Sequence, residues 1–173
     1  MGIIPEEVIK KIWPRIRKKH LFPEIPIPKA SEGNESVALE MKNKQITIST
    51  AYCDKIAHKM DAEEAVEALL DHGISHYTFC PWDFHTHLRL FAEAKRVIKD
   101  RERAKRAAGL FMDVAADTYC VKRKKTPLPE FYKHIDKGKV DEVIASLYQR
   151  IWGVDLRAKE DEGVVRRLAR IPY

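Results

Sequence analysis

The sequence predicts a mainly helical α+β protein in which one small antiparallel sheet packs against a central helix. Apolar residues recur at helical spacing along most of the chain. The exception is a pair of segments, 37–41 and 45–49, in which apolar and polar residues alternate on either side of a polar turn, as in a β-hairpin. With 173 residues, of which 45% are apolar, the chain has the size and composition of one domain, 1–173.

The N-terminal third is expected to combine one helix with irregular chain. Apolar spacing supports a helix over 5–20, which Pro14 should disturb or end early. Three prolines make 21–28 an extended connector, and 30–35 is expected to be a polar turn. After the hairpin, a short helical turn is expected at 54–60.

The centre of the chain is expected to hold further helices. One of them covers about 62–79 and begins at a suitable N-cap, Asp61. The next begins after Asp83 and becomes densely charged over 95–106, which we interpret as a solvated face, with a basic patch as the alternative. An almost entirely apolar helical segment, 109–121, follows. The last third is expected to form a helical C-terminal extension of about 128–173, with helices at 129–135, 140–152 and 160–169.

Two histidines, His72 and His76, lie four residues apart in the predicted helix 62–79. Residues at this spacing share one helix face, so the two imidazoles can bind one metal ion. An apolar stripe that includes Ala65 and Leu69 leads to them, and a polar side chain on such a face needs a partner. The alternative is two unrelated histidines, each hydrogen-bonded in a partly wet groove.

Two carboxylates, Asp113 and Asp117, show the same spacing in the apolar segment 109–121. Because aspartate is rarely buried without a partner, we expect the two helices to face each other across a divalent cation. Two imidazoles and one carboxylate leave an open position on zinc, as in a catalytic site, while the other carboxylate orients an imidazole from behind. The alternative is a salt-bridged His/Asp cluster without a metal.

These residues resemble the gluzincin branch of zinc metallopeptidases, whose motif is HExxH followed by a second helix with E/D-x-x-x-D. The segments His-Tyr-Thr-Phe-Cys-Pro-Trp-Asp and Leu-Phe-Met-Asp-Val-Ala-Ala-Asp also resemble archaeal predicted metallopeptidases. The resemblance covers about 37–120 and implies a metallopeptidase-like core of about 36–125. It implies a zincin-like fold, in which the edge of a sheet lies over the active-site helix, and a peptide or protein substrate.

The resemblance also implies a role for each candidate residue. It makes His72, His76 and Asp113 the ligands of one zinc ion per chain, and it makes Asp117 the acid that is hydrogen-bonded to His72. The sequence departs from the family at Gly73, where the general-base glutamate is expected. We therefore expect a degenerate or weakly active peptide hydrolase, in which a glutamate introduced at Gly73 would point towards the metal without harm to the helix.

Other side chains near the histidines could supply the missing base or a further metal ligand. Three acids near the histidines are not expected to reach the metal as a base, and three further residues are candidate ligands that are more often structural. The acids are Glu64, Glu67 and Asp71, and the candidate ligands are Cys80, His85 and His87.

Composition limits which other functions and cellular locations the sequence allows. The chain carries a net charge of +6, which leaves a nucleic-acid-binding or scaffolding helical protein as the alternative function, although no sequence-specific nucleic-acid motif is present. Three cysteines without a CxxC disfavour a disulfide framework. No apolar run has the length of a membrane span, so the expected location is the cytoplasm. The 34% of charged residues and the scarcity of Asn and Gln are typical of thermophile proteins.

Overall fold

Seven helices and one small sheet make up the part of the chain that the computed structural model describes, residues 5–33, 35–135 and 139–157. The mainly helical class with a small sheet is thus confirmed. The strands are β1 (Lys29–Ser31), β2 (Val37–Glu40) and β3 (Gln45–Ser49). The helices are α1 (Pro5–Lys19), α2 (Thr50–Ile56), α3 (Ala62–Thr78), α4 (Phe84–Val97), α5 (Arg101–Arg123), α6 (Leu128–His134) and α7 (Lys139–Trp152).

The sheet is mixed, with the strand order β1-β3-β2. The predicted hairpin is present, since β2 and β3 are antiparallel and Val37 lies opposite Ile48. The prediction of an antiparallel sheet is wrong, because β1 pairs in parallel with β3. Strand β1 overlaps the start of the segment 30–35 that was expected to be a turn. A strand of three residues is too short to show alternation, and its pairing satisfies backbone groups on the second edge of β3.

Helix α1 continues through Pro14 to Lys19, so this proline does not end the helix early, which was one of the two predicted outcomes. A proline removes one backbone hydrogen bond. The apolar face of α1 outweighs that loss, because Ile9, Ile12 and Ile16 are buried in the main core.

The central helix α3 is buried on most of its surface, and Val66, Leu70 and Ile74 are fully buried. Its predicted N-cap is present, because the Asp61 side chain accepts hydrogen bonds from the backbone N–H groups of Glu63 and Glu64. Helix α3 packs against α1, α5, α6 and the sheet. Several polar side chains on α3, among them Asp71 and His76, therefore lie in the interior of the protein, where each needs a partner.

The charged stretch 95–106 contains a helix boundary that the sequence analysis missed. Helix α4 ends at Val97, and α5 begins at Arg101 after its N-cap Asp100, whose side chain accepts a hydrogen bond from the Arg103 N–H at 2.8 Å. The charged side chains of the stretch are exposed, apart from the half-buried Lys95, in agreement with a solvated face. Helix α5 then runs without interruption through the predicted apolar segment.

The remaining helices lie close to their predicted positions. Helix α2 begins at Thr50, earlier than the predicted turn at 54–60, because Ser49 caps it by accepting a hydrogen bond from the Tyr52 N–H. Helices α6 and α7 match the predicted segments 129–135 and 140–152 to within one residue. The predicted helix 160–169 lies outside the described residues. No helix in the described ranges combines the length and the apolar character that crossing a bilayer requires.

Candidate metal centre

Helices α3 and α5 bring together the three side chains that the sequence nominated as ligands. The Nε2 atoms of His72 and His76 are 3.3 Å apart, and Asp113 Oδ1 lies 3.2 Å from His76 Nε2. One donor atom from each of the three residues falls within 4.8 Å of the other two. The two imidazoles come from adjacent turns of α3, and the carboxylate comes from the facing turn of α5.

The site is closed on the histidine side and open on the aspartate side. The side chain of His76 is 7% exposed and that of His72 is 21% exposed, whereas that of Asp113 is 41% exposed. A ligand can therefore approach these residues from the side of Asp113, while the imidazoles are held in the packed interior.

Hydrogen bonds behind the two rings determine which nitrogen faces the site. His76 Nδ1 lies 2.8 Å from the backbone oxygen of Cys80, and a carbonyl can only accept, so Nδ1–H must donate. His72 Nδ1 donates in the same way to Asp117 Oδ1 at 2.7 Å. In the neutral form, both rings therefore direct the lone pair of Nε2 towards the point that they share with Asp113.

Asp117 is fully buried and lies behind His72, in the position expected for an orienting carboxylate. Its second oxygen, Oδ2, accepts hydrogen bonds from the hydroxyl groups of Tyr132 and Tyr148, each at 2.7 Å. The sequence analysis did not identify these two tyrosines. A buried tyrosine hydroxyl needs a partner, which is the only signal that the sequence offered, and it does not say which partner.

The electrostatics of the His72–Asp117 pair favour the charged form of both groups. Burial lowers the pKa of His72, but the charge and hydrogen bond of Asp117, with a contribution from Asp113, outweigh it and raise that pKa to about 9. Burial raises the pKa of Asp117, yet His72 and the two tyrosine hydroxyls together hold it below its usual value. The pKa values of both tyrosines are raised well above 10, by burial and by Asp117, so they remain donors.

Two of the three separations among the candidate ligand atoms fit a tetrahedral zinc ion. With Zn–N distances of 2.0–2.1 Å, two ligand atoms on such an ion stand about 3.3–3.4 Å apart. The His72–His76 separation of 3.3 Å and the His76–Asp113 separation of 3.2 Å match this value, and the His72–Asp113 pair lies within 4.8 Å. Two neutral imidazoles would otherwise point lone pairs at each other across 3.3 Å, so a cation is needed between them, either a proton or a metal ion.

Gly73 lies on a different face of α3 from the two histidines. A Cβ atom at residue 73 would stand 3.2 Å from Ile46 Cγ2 and 3.3 Å from Leu39 Cδ2. The residue faces the apolar contact between α3 and the sheet, because successive residues on a helix point in directions roughly 100° apart. A glutamate here would need Ile46 and Leu39 to shift by a few tenths of an ångström, so it would disturb the contact with the sheet, and its direction towards the metal stays a prediction.

An open cleft of about 520 Å³ lies over the three candidate ligands. Strand β2 and the residues next to it form one wall, and α4 and α5 contribute to the other. Besides the candidate ligands, the titratable side chains that line the cleft are Glu35 and His87. Glu35 was not considered from the sequence, because it lies in the segment that was treated as a polar turn.

The other residues named from the sequence are placed elsewhere. Cys80 contributes its backbone carbonyl to His76, and its thiol is not grouped with the candidate ligands. His85 is exposed and does not line the cleft. Glu67 and Asp71 are paired with Lys19 on α1. Glu64 lines a separate pocket, in agreement with the expectation that these acids do not reach the site.

A second group of potential ligands, His20, Asp71 and Cys120, is buried on another side of α3. His20 Nε2 and Asp71 Oδ1 are 2.8 Å apart, a hydrogen-bond length that is shorter than the separation of two ligands on one zinc ion. Lys19 already neutralises Asp71 at 2.5 Å, and burial raises the pKa of the Cys120 thiol to about 12. This group is therefore an ion-pair network and fits a metal poorly.

Comparison with family models, with curated proteins and with solved structures gave no match to this chain. The resemblance to the gluzincin metallopeptidases therefore depends on the residues of this sequence alone.

Proposed function

We propose that this protein binds one zinc ion through His72, His76 and Asp113 and that it is a metallopeptidase-like protein with weak hydrolytic activity. One observation carries the proposal. Hydrogen bonds to Nδ1 fix both imidazoles so that their Nε2 atoms converge with a carboxylate oxygen, and the His72–His76 and His76–Asp113 separations are those of two ligands on a tetrahedral ion. The partial exposure of Asp113 leaves room for a further ligand on that ion.

The cleft supports an extended peptide as the substrate. Among the described residues, no strand pairs with the outer edge of β2. Val37, Leu39 and Met41, in or next to β2, line the cleft together with the candidate ligands. The free backbone groups of an edge strand can bind a peptide by strand addition, and apolar walls can accept its side chains.

The chain's own residues define what chemistry is available. Zinc, when bound, polarises a carbonyl group and makes a water molecule more acidic. His72, His76 and Asp113 would hold the ion, and Asp117 would keep His72 in the correct tautomer. Glu35 and His87 line the cleft and can accept a proton, whereas Gly73 cannot. Hydrolysis without a base next to the metal is expected to be slow.

A metal-free His/Asp cluster in a scaffolding protein is the second candidate. It is favoured by the pKa of His72, which burial and Asp117 together place at about 9. At neutral pH the metal-free His72 ring is therefore an imidazolium, with a second proton on Nε2. This second proton can take the place of the metal ion between the two Nε2 atoms. In that case the four residues would stabilise the packing of α3 against α5 and have no role in catalysis.

Metal analysis separates the two candidates. Protein purified without added metal is analysed for bound elements, and then titrated with zinc after removal of metal by a chelator. We expect about one zinc ion per chain. The His72→Ala variant should bind none, and the matched control His85→Ala, which removes an exposed histidine outside the cleft, should bind as the wild type does.

The two aspartates are distinguished by the same titration. Asp113→Ala should abolish zinc binding, because it removes a ligand. Asp117→Ala should weaken binding about 10–100-fold, as the loss of a group that orients a ligand does. If the His72→Ala protein and the wild type retain equal zinc after dialysis, the proposed site is wrong and the metal-free cluster is favoured.

A further inference from the structure

We infer that Tyr132 and Tyr148 are positioning residues for the zinc site, and that zinc binding and the docking of α6 and α7 on α5 stabilise each other. The inference rests on the proposed zinc-binding function. It concerns the C-terminal helices, which lie outside the part of the chain that resembles a metallopeptidase.

One buried carboxylate joins the C-terminal helices to the candidate ligands. Asp117 Oδ1 accepts from His72 Nδ1, and Oδ2 accepts both tyrosine hydroxyls, with all three distances at 2.7 Å. A carboxylate offers about four lone-pair positions, so three of them are filled by donors that come from three different helices, α3, α6 and α7. The orientation of Asp117, and through it that of the His72 ring, depends on all three.

Ring packing holds the two hydroxyl groups in place. Tyr148 stacks on Trp152 with ring centroids 4.0 Å apart, and Tyr132 contacts both rings edge-on at 4.9 Å and 5.8 Å. Trp152 Nε1 donates to Thr118 Oγ1 at 3.0 Å, directly beside Asp117 on α5. Helices α6 and α7 are thus docked on α5 at the residues that support His72.

This arrangement couples two processes. If the hydroxyl groups are lost, Asp117 keeps only His72 as a partner among these contacts, and both side chains gain freedom to rotate away. The loss of groups that orient a ligand weakens metal binding about 10–100-fold. Thermodynamic linkage is reciprocal, so an ion that binds better when α6 and α7 are docked must also favour the docked state.

The test uses the phenylalanine variants Tyr132→Phe and Tyr148→Phe, singly and together, in the full chain. Each substitution removes one hydroxyl and keeps the ring. Zinc affinity is measured by competition with a chelator of known affinity, and the unfolding of the metal-free proteins is measured alongside. Tyr119→Phe is the matched control, because Tyr119 lies on the same helix as Asp117 and stacks on Phe79 at 4.2 Å, away from the carboxylate.

We expect about 10-fold weaker zinc binding for each single variant and up to about 100-fold for the double variant. The Tyr119→Phe protein should bind zinc as the wild type does. In the wild type, zinc should also slow amide hydrogen exchange in α6 and α7, and the double variant should lose most of this protection. Amide hydrogen exchange of the wild-type protein, measured with and without zinc, tests the coupling even if the double variant does not fold.

The outcomes separate this inference from the proposed function. A wild-type protein that binds no zinc overturns both. A wild-type protein that binds zinc, with phenylalanine variants of equal affinity, overturns the inference and leaves the zinc site standing. Zinc binding that leaves the exchange of α6 and α7 unchanged overturns the coupling.

Discussion

Gly73 and Gly109 both lie inside helices, yet their surroundings are opposite. A Cβ atom at residue 73 would press on Ile46 and Leu39, whereas a Cβ atom at residue 109 meets nothing within 4 Å. Gly109→Ala should raise the free energy of unfolding by up to about 1 kcal/mol, because alanine favours a helix. Gly73→Ala gains the same amount but overpacks the contact with the sheet at a cost of about 1–3 kcal/mol, so it should be neutral to destabilising.

Urea unfolding of the two variants in metal-free buffer measures this difference. Gly73→Glu should lower the stability further than Gly73→Ala, because its first side-chain atoms enter the same apolar contact. Equal stabilisation by alanine at both positions would show that Ile46 and Leu39 move aside at no cost, and it would contradict the packing argument.

His72 is expected to make the stability of the metal-free protein depend on pH. Burial lowers its pKa, but the charge and hydrogen bond of Asp117 and the charge of Asp113 together outweigh burial and raise the pKa from 6.5 to about 9. A group with a raised pKa stabilises the folded state fully below its unfolded value, and it loses that contribution as the pH rises through the folded value. The contribution of His72 should therefore be complete below about pH 6.5 and be lost as the pH passes 9, with an upper limit of about 3 kcal/mol.

The measurement compares wild type and His72→Ala by urea unfolding between about pH 6 and pH 9.5, with a chelator present throughout. Other titrating groups affect both proteins, so the quantity of interest is the gap between their stabilities. This gap should narrow as the pH rises. A gap that stays constant across the range would mean that the proton on His72 does not stabilise the fold.

At the scale of elements, a ladder of ion pairs joins α1 to α3. Lys11, Arg15 and Lys19 recur one turn apart on α1 and face Glu63, Glu67 and Asp71, which recur one turn apart on α3. The two ends of the ladder differ in burial. The Lys11 side chain is 72% exposed, whereas Lys19 is 15% exposed and pairs with the fully buried Asp71.

Lys19→Met should therefore destabilise the protein by about 2 kcal/mol or more, because it leaves the buried Asp71 with His20 alone. Lys11→Met should cost no more than about 1 kcal/mol, since exposed ion pairs contribute little. Thermal or urea unfolding of the two variants provides the comparison. A similar small effect at both positions would mean that His20 is a sufficient partner for Asp71.

The sequence predicted helices and strands well where the apolar periodicity is strong, and poorly where tertiary contacts determine the secondary structure. The spacing of His72, His76, Asp113 and Asp117 indicated which helix faces meet, because helical geometry fixes the face that each residue occupies. Strand β1 could not be predicted, since its three residues gain their pairing only from β3. The continuation of α1 past Pro14 also depends on contacts that the local sequence does not show, namely the core and the ion-pair ladder.

In the candidate site, too, local features could be predicted from the sequence, and features that depend on tertiary contacts could not. Ligand spacing within one helix is a local property, so the histidine pair could be nominated from the sequence. The tyrosines that hold Asp117 come from helices 15 and 31 residues further along the chain, and only the docking of α6 and α7 brings them there. Whether residue 73 can accept a side chain depends on its contacts with Ile46 and Leu39, which a motif position does not show.

At the scale of the whole molecule, residues of the sheet and of α3, α4 and α5 line one cleft. Under the proposed function, these elements are where a catalytic base would come from. Hydrolysis of a peptide requires a group that takes a proton from the attacking water and passes it to the leaving amine. Helix α3 supplies the histidines but no base, since Gly73 faces the sheet. Glu35, from the chain before β2, and His87, from α4, line the same cleft.

We therefore expect the zinc-loaded protein to cleave a broad peptide library slowly, because the missing base is typically worth about 10²–10⁴-fold in rate. The residual cleavage should be abolished by a chelator, and it should fall at least about 10-fold in Glu35→Gln or in His87→Gln if that side chain handles the proton. Glu32→Gln is the matched control, because Glu32 is an exposed acid near Glu35 that does not line the cleft. Efficient, chelator-sensitive cleavage that survives both substitutions would show that the base lies elsewhere and that the weakly active assignment is wrong. Cleavage that a chelator leaves unchanged would separate the activity from His72, His76 and Asp113 altogether.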